Sequence, residues 1–233
     1  MKRILISIMI SVMIYGVGQS QDTLLLMNGK IICGEVKKTD NKAVYYCKTE
    51  GRMRIKKIDV EDLFSISYND TKKDYFYKRD TSYGYYLQTD EMYVYLMGQN
   101  YAHENFKAPL NTFAGVLFGV TGGVVGFWGM TIPATYIFLA GSKDPHFVYN
   151  TEMLSLINTR YYAEITNIEN ETGMSYKAIN EQTPVKTPIV LDPLFQEGYN
   201  YTAKDKKVKN SIKGGVIGFI SLVAASYLII ATQ

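Results

Sequence analysis

Histidine is nearly absent from this chain of 233 residues, and charge is missing altogether from two long stretches. The two histidines are His103 and His146, and so small a number argues against a histidine-based metal or catalytic centre. The sequence also has no Walker loop, no His-Glu-x-x-His and no Gly-x-Ser-x-Gly motif. We therefore predict a protein that is not an enzyme, with no catalytic, metal-binding or cofactor-binding residues.

The first charge-free stretch, residues 108–142, is rich in glycine and in large apolar residues. A water-soluble domain of this size needs no such run, whereas a membrane helix needs about 20 apolar residues. Phe113–Ile132 is long enough for one crossing, and Pro133 follows as a helix-stopping residue. The sequence predicts a first membrane segment over residues 113–141 and, from the second charge-free stretch, a second membrane helix over residues 212–233. It leaves open whether the first segment crosses once or is re-entrant, with both repeat copies on one side.

Glycines in both membrane segments recur at every fourth position. In lipid, helices associate through close packing of their backbones, which a glycine face permits. This spacing predicts that the segments pack against each other or against a partner protein. The predicted helix-packing residues are Gly115, Gly119, Gly122, Gly123, Gly126, Gly214 and Gly218.

The N-terminal residues 1–20 begin with basic Lys2 and Arg3, continue with an apolar middle and end in small residues. This order is typical of a secretory signal peptide. Its removal would take two positive charges from the net charge of +3 and leave +1. A nearly neutral chain has no overall basic field, so we expect no nucleic-acid partner.

Residues 21–70 consist of short β-type runs separated by turn residues. The strongest turn is Asn28-Gly29, which predicts a type I′ hairpin. About five short strands with tight connections are expected. The predicted fold class is α+β, in which a small N-terminal antiparallel β domain, SH3-like or a plain meander, is joined to two Gly-rich transmembrane helices.

Both cysteines lie in the predicted β domain. A hairpin that turns at Asp40 would place Cys33 directly opposite Cys47, with Cβ atoms roughly 4.5–5.5 Å apart. That separation is slightly wide for a disulfide, and export would allow the bond to form. The sequence leaves open a disulfide or two small buried apolar side chains.

Tyrosine is abundant, with 20 residues, and many of them lie between residues 74 and 101. Residues two apart share one face of a strand, so Tyr75 with Tyr77 and Tyr93 with Tyr95 predict two strands with an aromatic face. Three interpretations of such a face are open: a platform on which a ligand stacks, ordinary packing between strands, and an aromatic belt at the membrane surface. We assign Tyr-rich strands and a helical lead-in to residues 71–112.

An internal repeat is the most specific pattern in the chain, because the segment that begins at Gly98 aligns without gaps with the one that begins at Gly198. Each copy predicts a polar helical lead-in that runs into a Gly-rich apolar helix. Lysines cluster in the polar inter-span segment, residues 142–211, close to the second membrane helix. The positive-inside rule then places this segment in the cytosol and the β domain on the non-cytosolic side.

Three stretches, "DTLLLMNGKIICGEVKK", "MGQNYAHENFKAP" and "DPLFQEGYNYTAKDKKVKNSIKGGVIG", together resemble a poorly characterised family of exported or membrane-associated envelope proteins of Bacteroidota-type bacteria. The resemblance covers most of the chain after the signal peptide. It implies an envelope location and this architecture, and it implies no established activity.

The sequence favours a membrane-anchored protein of the bacterial envelope with a structural or protein-interaction role. Its expected partners are the membrane and either another membrane protein or further copies of itself. One alternative is a small transport or channel subunit, which the lack of an ionisable residue in either membrane segment disfavours. Another is a membrane-tethered ligand-binding protein or enzyme with a tyrosine-lined cleft.

Overall fold

A computed structural model describes residues 21–48, 54–68, 72–125, 128–129, 131–145, 147, 168 and 189–231. These residues form two compact units. The first contains the residues up to Met27 together with Ile31–Tyr77, and the second contains Asn28–Lys30 and the residues from Lys78 onward. The predicted signal peptide, Gly126 and most of the polar inter-span segment lie outside the described residues.

The first unit contains a six-stranded antiparallel sheet, which confirms an N-terminal β domain in an α+β protein. The strand order is β4-β3-β2-β1-β5-β6, so β1 is central and β5 returns to lie beside it. A short 3₁₀ turn, Val60–Asp62, separates β4 from β5. The strands are β1 Asp22–Leu26, β2 Ile31–Thr39, β3 Ala43–Lys48, β4 Ile55–Asp59, β5 Leu63–Tyr68 and β6 Lys72–Tyr75.

The hairpin predicted at Asn28-Gly29 is confirmed, because β1 and β2 pair antiparallel with Leu25 opposite Ile31. The predicted type I′ turn is wrong, since this register leaves an odd number of residues between the paired strands and a two-residue turn leaves an even number. Gly29 has a φ of 72°, a left-handed conformation that glycine adopts without strain. The Asn28 side chain accepts a hydrogen bond from the Lys30 N–H at 3.1 Å, which is the local bonding that favours Asn in turns.

The core of the sheet unit is built from β1, β3 and β5. Its buried side chains are Leu24, Val44, Tyr46, Leu63 and Ile66. The register shifts once in the β1–β5 pair and once in β2, and such bulges bend a strand and increase its twist.

The register on which the predicted disulfide rested is wrong. Cys47 lies opposite Glu35, while Cys33 pairs with Thr23 of β1, because the chain reverses over residues 40–42 and not at Asp40 itself. The two cysteines are diagonal neighbours, about 7–8 Å apart, whereas a disulfide needs Cβ atoms roughly 3.5–4.5 Å apart. Both thiols are free, Cys33 exposed and Cys47 half-buried.

The strand predicted around Tyr93 and Tyr95 is also wrong, since both residues lie in a helix, Thr89–Asn105. A capping box begins this helix: the Glu91 carboxylate accepts a hydrogen bond from the Gln88 N–H at 2.7 Å, and the Gln88 side chain caps in return. The acidic first turn also suits the positive end of the helix dipole. These local signals outweigh the two-residue spacing of the tyrosines.

The second unit is helical. Among its described residues are four α-helices: α1 Thr89–Asn105, α2 Pro109–Val125, α3 Thr131–Ser142 and α4 Pro193–Ala231. Of these, α4 alone is long and apolar enough to cross a membrane, and the α1–α2 pair, bent by 69°, would form a second such segment if it were counted as one.

Candidate functional site

Phe113–Ile132 is not one continuous helix, because α2 ends at Val125, α3 begins at Thr131, and the two form a helical hairpin. Of the two paths left open for the first segment, a single crossing and a re-entrant one, this geometry favours the second. The Asn111 amide donates a hydrogen bond to the Tyr136 hydroxyl at 3.3 Å, and the Phe118 and Tyr136 rings lie 4.6 Å apart. Pro133 lies in the first turn of α3, where its missing N–H leaves no helical bond unmade. The proline thus belongs to the start of the returning helix and not to the end of the outgoing one.

Glycine makes this reversal compact. A Cβ atom on Gly122 or on Gly129 would come too close to the backbone of the other residue. A cluster of glycines was therefore ambiguous in the sequence, since the same residues permit helix packing and a tight change of direction.

Along their contact, α2 and α4 run parallel. From one contact to the next the residue numbers increase in both helices, whereas in antiparallel helices one would increase and the other decrease. The successive pairs are Gly115 with Ser211, Gly119 with Gly215, and Gly123 with Leu222. Because α3 returns beside α2, the end of α3 lies near the polar half of α4, where the Lys207 ammonium donates to the Lys143 carbonyl at 3.0 Å.

Most of the glycines named from the sequence lie at these helix contacts. A Cβ atom on any of Gly115, Gly119, Gly214 and Gly218 would overlap the backbone of the facing helix. Gly123 faces the side chain of Leu222, Gly122 lies at the α2–α3 reversal, and Gly126 is outside the described residues. The glycine faces of α2 and α4 therefore cover each other within one chain.

The two copies of the predicted repeat also pack reciprocally in their polar halves. A Cβ atom on Gly98 would overlap the Phe195 carbonyl, and one on Gly198 would overlap the Tyr95 carbonyl. Tyr95 and Phe195 each lie three residues before the glycine that begins their copy, so each glycine meets the equivalent position of the other helix. This is the contact pattern of a symmetric dimer interface, here formed inside one chain.

The symmetry is broken at Pro109, where the first copy is interrupted and the second continues as one helix. Proline cannot continue α1, so the last carbonyl groups of α1 lack helical N–H donors. The second copy supplies donors: Asn210 donates to the Ala108 carbonyl at 3.2 Å. The Lys206 ammonium donates to the carbonyls of Ala102, His103 and Phe106 at 3.1, 2.7 and 3.1 Å.

Lys206 therefore caps α1 from a neighbouring helix. A cation at this position also suits the negative end of the helix dipole. Burial lowers the pKa of Lys206, which precedes the charge-free half of α4 by two turns. The sequence analysis did not predict this role. The repeat aligns Lys206 with Phe106, which lies just before Pro109, and so already placed a cation of the second copy level with the interrupted end of α1.

Beyond the polar halves, α2, α3 and α4 expose large apolar side chains. Phe113, Phe138 and Ile220 are 63%, 75% and 59% exposed. Soluble monomers rarely present a contiguous apolar surface of this kind. We call it the apolar surface, and its exposed side chains are Leu110, Phe113, Leu117, Val124, Val125, Trp128, Phe138, Leu139, Val216, Ile217, Phe219, Ile220, Tyr227, Leu228 and Ile229.

The tyrosines predicted to form an aromatic face belong to two different units. Tyr75 and Tyr77 each lie 5.9 Å from the ring of Phe64 in the sheet unit. In the helical unit Tyr93 is buried, and Tyr95 lines a polar cleft beside α4. The two pairs therefore do not share a strand face.

Within the described part of the chain, no three His, Cys, Asp or Glu side chains are placed to hold a metal ion. No protein family, curated protein or solved structure matches this chain. The resemblance to a family of envelope proteins therefore stays a prediction.

Proposed function

We propose that this chain is a membrane-anchored protein of the bacterial envelope with a structural or protein-interaction role. Its anchor is formed by α2, α3 and the half of α4 from Gly214 onward. The observation that carries the proposal is the apolar surface, which is free of charge on all three helices. Transfer of this surface from water to hydrocarbon is favourable by about 25 cal/mol for each Å² of apolar area.

Two of these three helices approach the thickness of a bilayer, and α3, with 12 residues or about 18 Å, is shorter. The 17 residues of α2 measure about 25 Å and the charge-free half of α4 about 27 Å, against a hydrocarbon core of about 30 Å. We infer that α4 crosses the membrane once, while the α2–α3 hairpin enters and returns to the side from which it came. Trp128, 77% exposed at the hairpin tip, suits the far membrane interface.

This arrangement differs from two successive crossings in one respect that can be tested. Two spans joined only by a polar segment run antiparallel, whereas α2 and α4 pack parallel. The parallel contact supports a topology in which Lys107 and Lys143 are on one side of the membrane and the C-terminal end of α4 is on the other. In this topology the β domain and the polar inter-span segment share a compartment. It is therefore incompatible with the orientation predicted from the lysines, which puts the two on opposite sides of the membrane.

We further propose that the β domain is SH3-like and supplies the interaction role. Support comes from the strand order β4-β3-β2-β1-β5 and from the 3₁₀ turn between β4 and β5, both of which small SH3-like barrels have. The glycine faces are already covered within the chain. A membrane-protein partner or a second copy would therefore contact the apolar surface or the β domain.

Membrane partition of two lysine variants tests the anchor. Ile220 lies near the middle of the charge-free half of α4, where a lysine costs about 2.5–3.5 kcal/mol on insertion, so Ile220→Lys should move the protein toward the alkali-extractable fraction. The control is Ile55→Lys, on a side chain that is 67% exposed in the sheet unit. This control should leave the protein in the membrane pellet. Recovery of the parent in the soluble fraction, or equal extraction of both variants, would reject the proposal.

A further inference from the structure

Three exposed lysines lie at the polar end of the apolar surface, one for each of its helices. Lys107 precedes α2, Lys143 follows the end of α3 and Lys213 directly precedes Gly214 in α4. We call these residues the lysine rim. They are at the same end because α2 and α4 run parallel and α3 runs back beside them.

Contacts between the helices bring the members of this rim to the same part of α4. The Asn210 side chain of α4 bonds the Ala108 carbonyl, next to Lys107. The Lys143 carbonyl accepts a hydrogen bond from the Lys207 side chain, also on α4. In the same helix Lys213 lies about 5 Å along the axis beyond Asn210 and about 9 Å beyond Lys207. The three chain positions therefore surround the point where the polar half of α4 becomes apolar.

Acidic groups close to the rim already have cationic partners. Asp144 pairs with Lys204 at 2.7 Å, and Asp205 pairs with Lys209 at 2.7 Å. Among the described residues, none of the three rim lysines is in an ion pair. Among the described residues, exposed Glu104 is the further carboxylate on the nearby end of α1.

No charged side chain matches these lysines at the described opposite end of the apolar surface. None occurs from Ala108 to Ser142 or from Gly214 to Gln233. A cationic ring at one edge of a hydrocarbon-embedded surface lies at the depth of lipid headgroups, and lysines near a surface are attracted to anionic lipids.

We propose that the lysine rim binds the headgroups of anionic phospholipids in the leaflet on its own side of the membrane. This inference rests on the membrane anchor proposed above. Each rim lysine that engages an anionic headgroup should raise its association about fivefold over a zwitterionic one. The interaction is electrostatic and lies at the interface, so salt should weaken it.

The test uses the full chain reconstituted into phosphatidylcholine vesicles that contain a trace of spin-labelled lipid. Flotation of the protein with the vesicles checks the anchor. The ratio of motionally restricted spin-labelled phosphatidylglycerol to phosphatidylcholine then reports headgroup preference. The parent should prefer phosphatidylglycerol about fivefold at low salt. In 1 M salt this preference should fall toward one, because the Debye length is then about 3 Å.

The variant Lys107→Gln, Lys143→Gln, Lys213→Gln should float with the vesicles like the parent and lose the preference. The control, Lys42→Gln, Lys48→Gln, Lys56→Gln, removes the same charge from exposed positions of the sheet unit and should keep it. Flotation with no preference in the parent, or an equal loss in both variants, would overturn the lysine rim and leave the anchor standing. Failure of the parent to float would overturn both.

Discussion

The neighbouring residues Gly214 and Gly215 should respond in opposite directions to the same substitution, alanine. A Cβ atom on Gly214 would overlap the Thr112 carbonyl and lie 2.9 Å from the Val116 nitrogen. On Gly215 the same atom meets nothing closer than the Gly115 carbonyl at 3.9 Å, an ordinary contact. The two substitutions therefore share chemistry, helix and depth, and differ in what the added methyl group meets.

Two free-energy terms set the magnitude. Alanine is favoured over glycine in a helix by about 1 kcal/mol, which stabilises both variants equally. At Gly214 the atoms in the way are backbone and cannot rotate aside, so α2 and α4 must separate, and overpacking of this kind costs about 1–3 kcal/mol. We expect Gly214→Ala to lose up to about 2 kcal/mol and Gly215→Ala to gain about 1 kcal/mol.

The assay is denaturant unfolding of the purified full chain in detergent micelles, followed by helical circular dichroism. Gly119→Ala should behave like Gly214→Ala, since its Cβ would overlap the Gly215 carbonyl. Equal stabilisation of all three variants would refute the reasoning, because it would mean that α2 and α4 are not in close contact.

Two further predictions concern stability. Cys33 and Cys47 should both react with maleimide without reductant, and labelling that depends on reductant would contradict this. The Cys33→Ser, Cys47→Ser variant should lose far less unfolding free energy than the roughly 2–5 kcal/mol typical of a lost disulfide. Lys206→Met should lower the free energy of unfolding by about 1.5–3 kcal/mol, because the bonds of Lys206 to the end of α1 are charge-assisted. Lys209→Met removes an exposed ion pair within α4 and should lower it by about 0.5 kcal/mol or less in the same assay. Equal costs for the two lysine variants would count against the cap.

The β domain could be predicted because its signals are local. Turn residues such as Asn28-Gly29 and Asp40 separate short β-type runs, and five of the six strands follow from these signals alone. Pairing register is less local, since the bulge in β2 and the position of the following turn decide which residue faces Cys47. The disulfide hypothesis depended on that register.

The sequence predicted the apolar, glycine-rich helices of the helical unit but not the path of the chain between them. A long charge-free stretch indicates a membrane segment, but it does not distinguish one straight helix from two shorter ones. Gly122 and Gly129 permit the reversal, and only their contact with each other shows that it occurs. The repeat that begins at Gly98 and Gly198 carried the missing information, because two similar segments that pack reciprocally in parallel must be connected by a chain that returns.

The side of the membrane on which Lys107 and Lys143 lie tests the central claim most directly. In a Cys33→Ser, Cys47→Ser background, single cysteines are introduced as Lys107→Cys, Lys143→Cys and Gln233→Cys, and each is labelled in sealed vesicles with a membrane-impermeant maleimide. The parallel packing of α2 and α4 predicts that the cysteines at 107 and 143 are labelled from the same side and the one at 233 from the opposite side. Labelling of 107 and 143 from opposite sides would contradict the helical hairpin and restore two successive crossings.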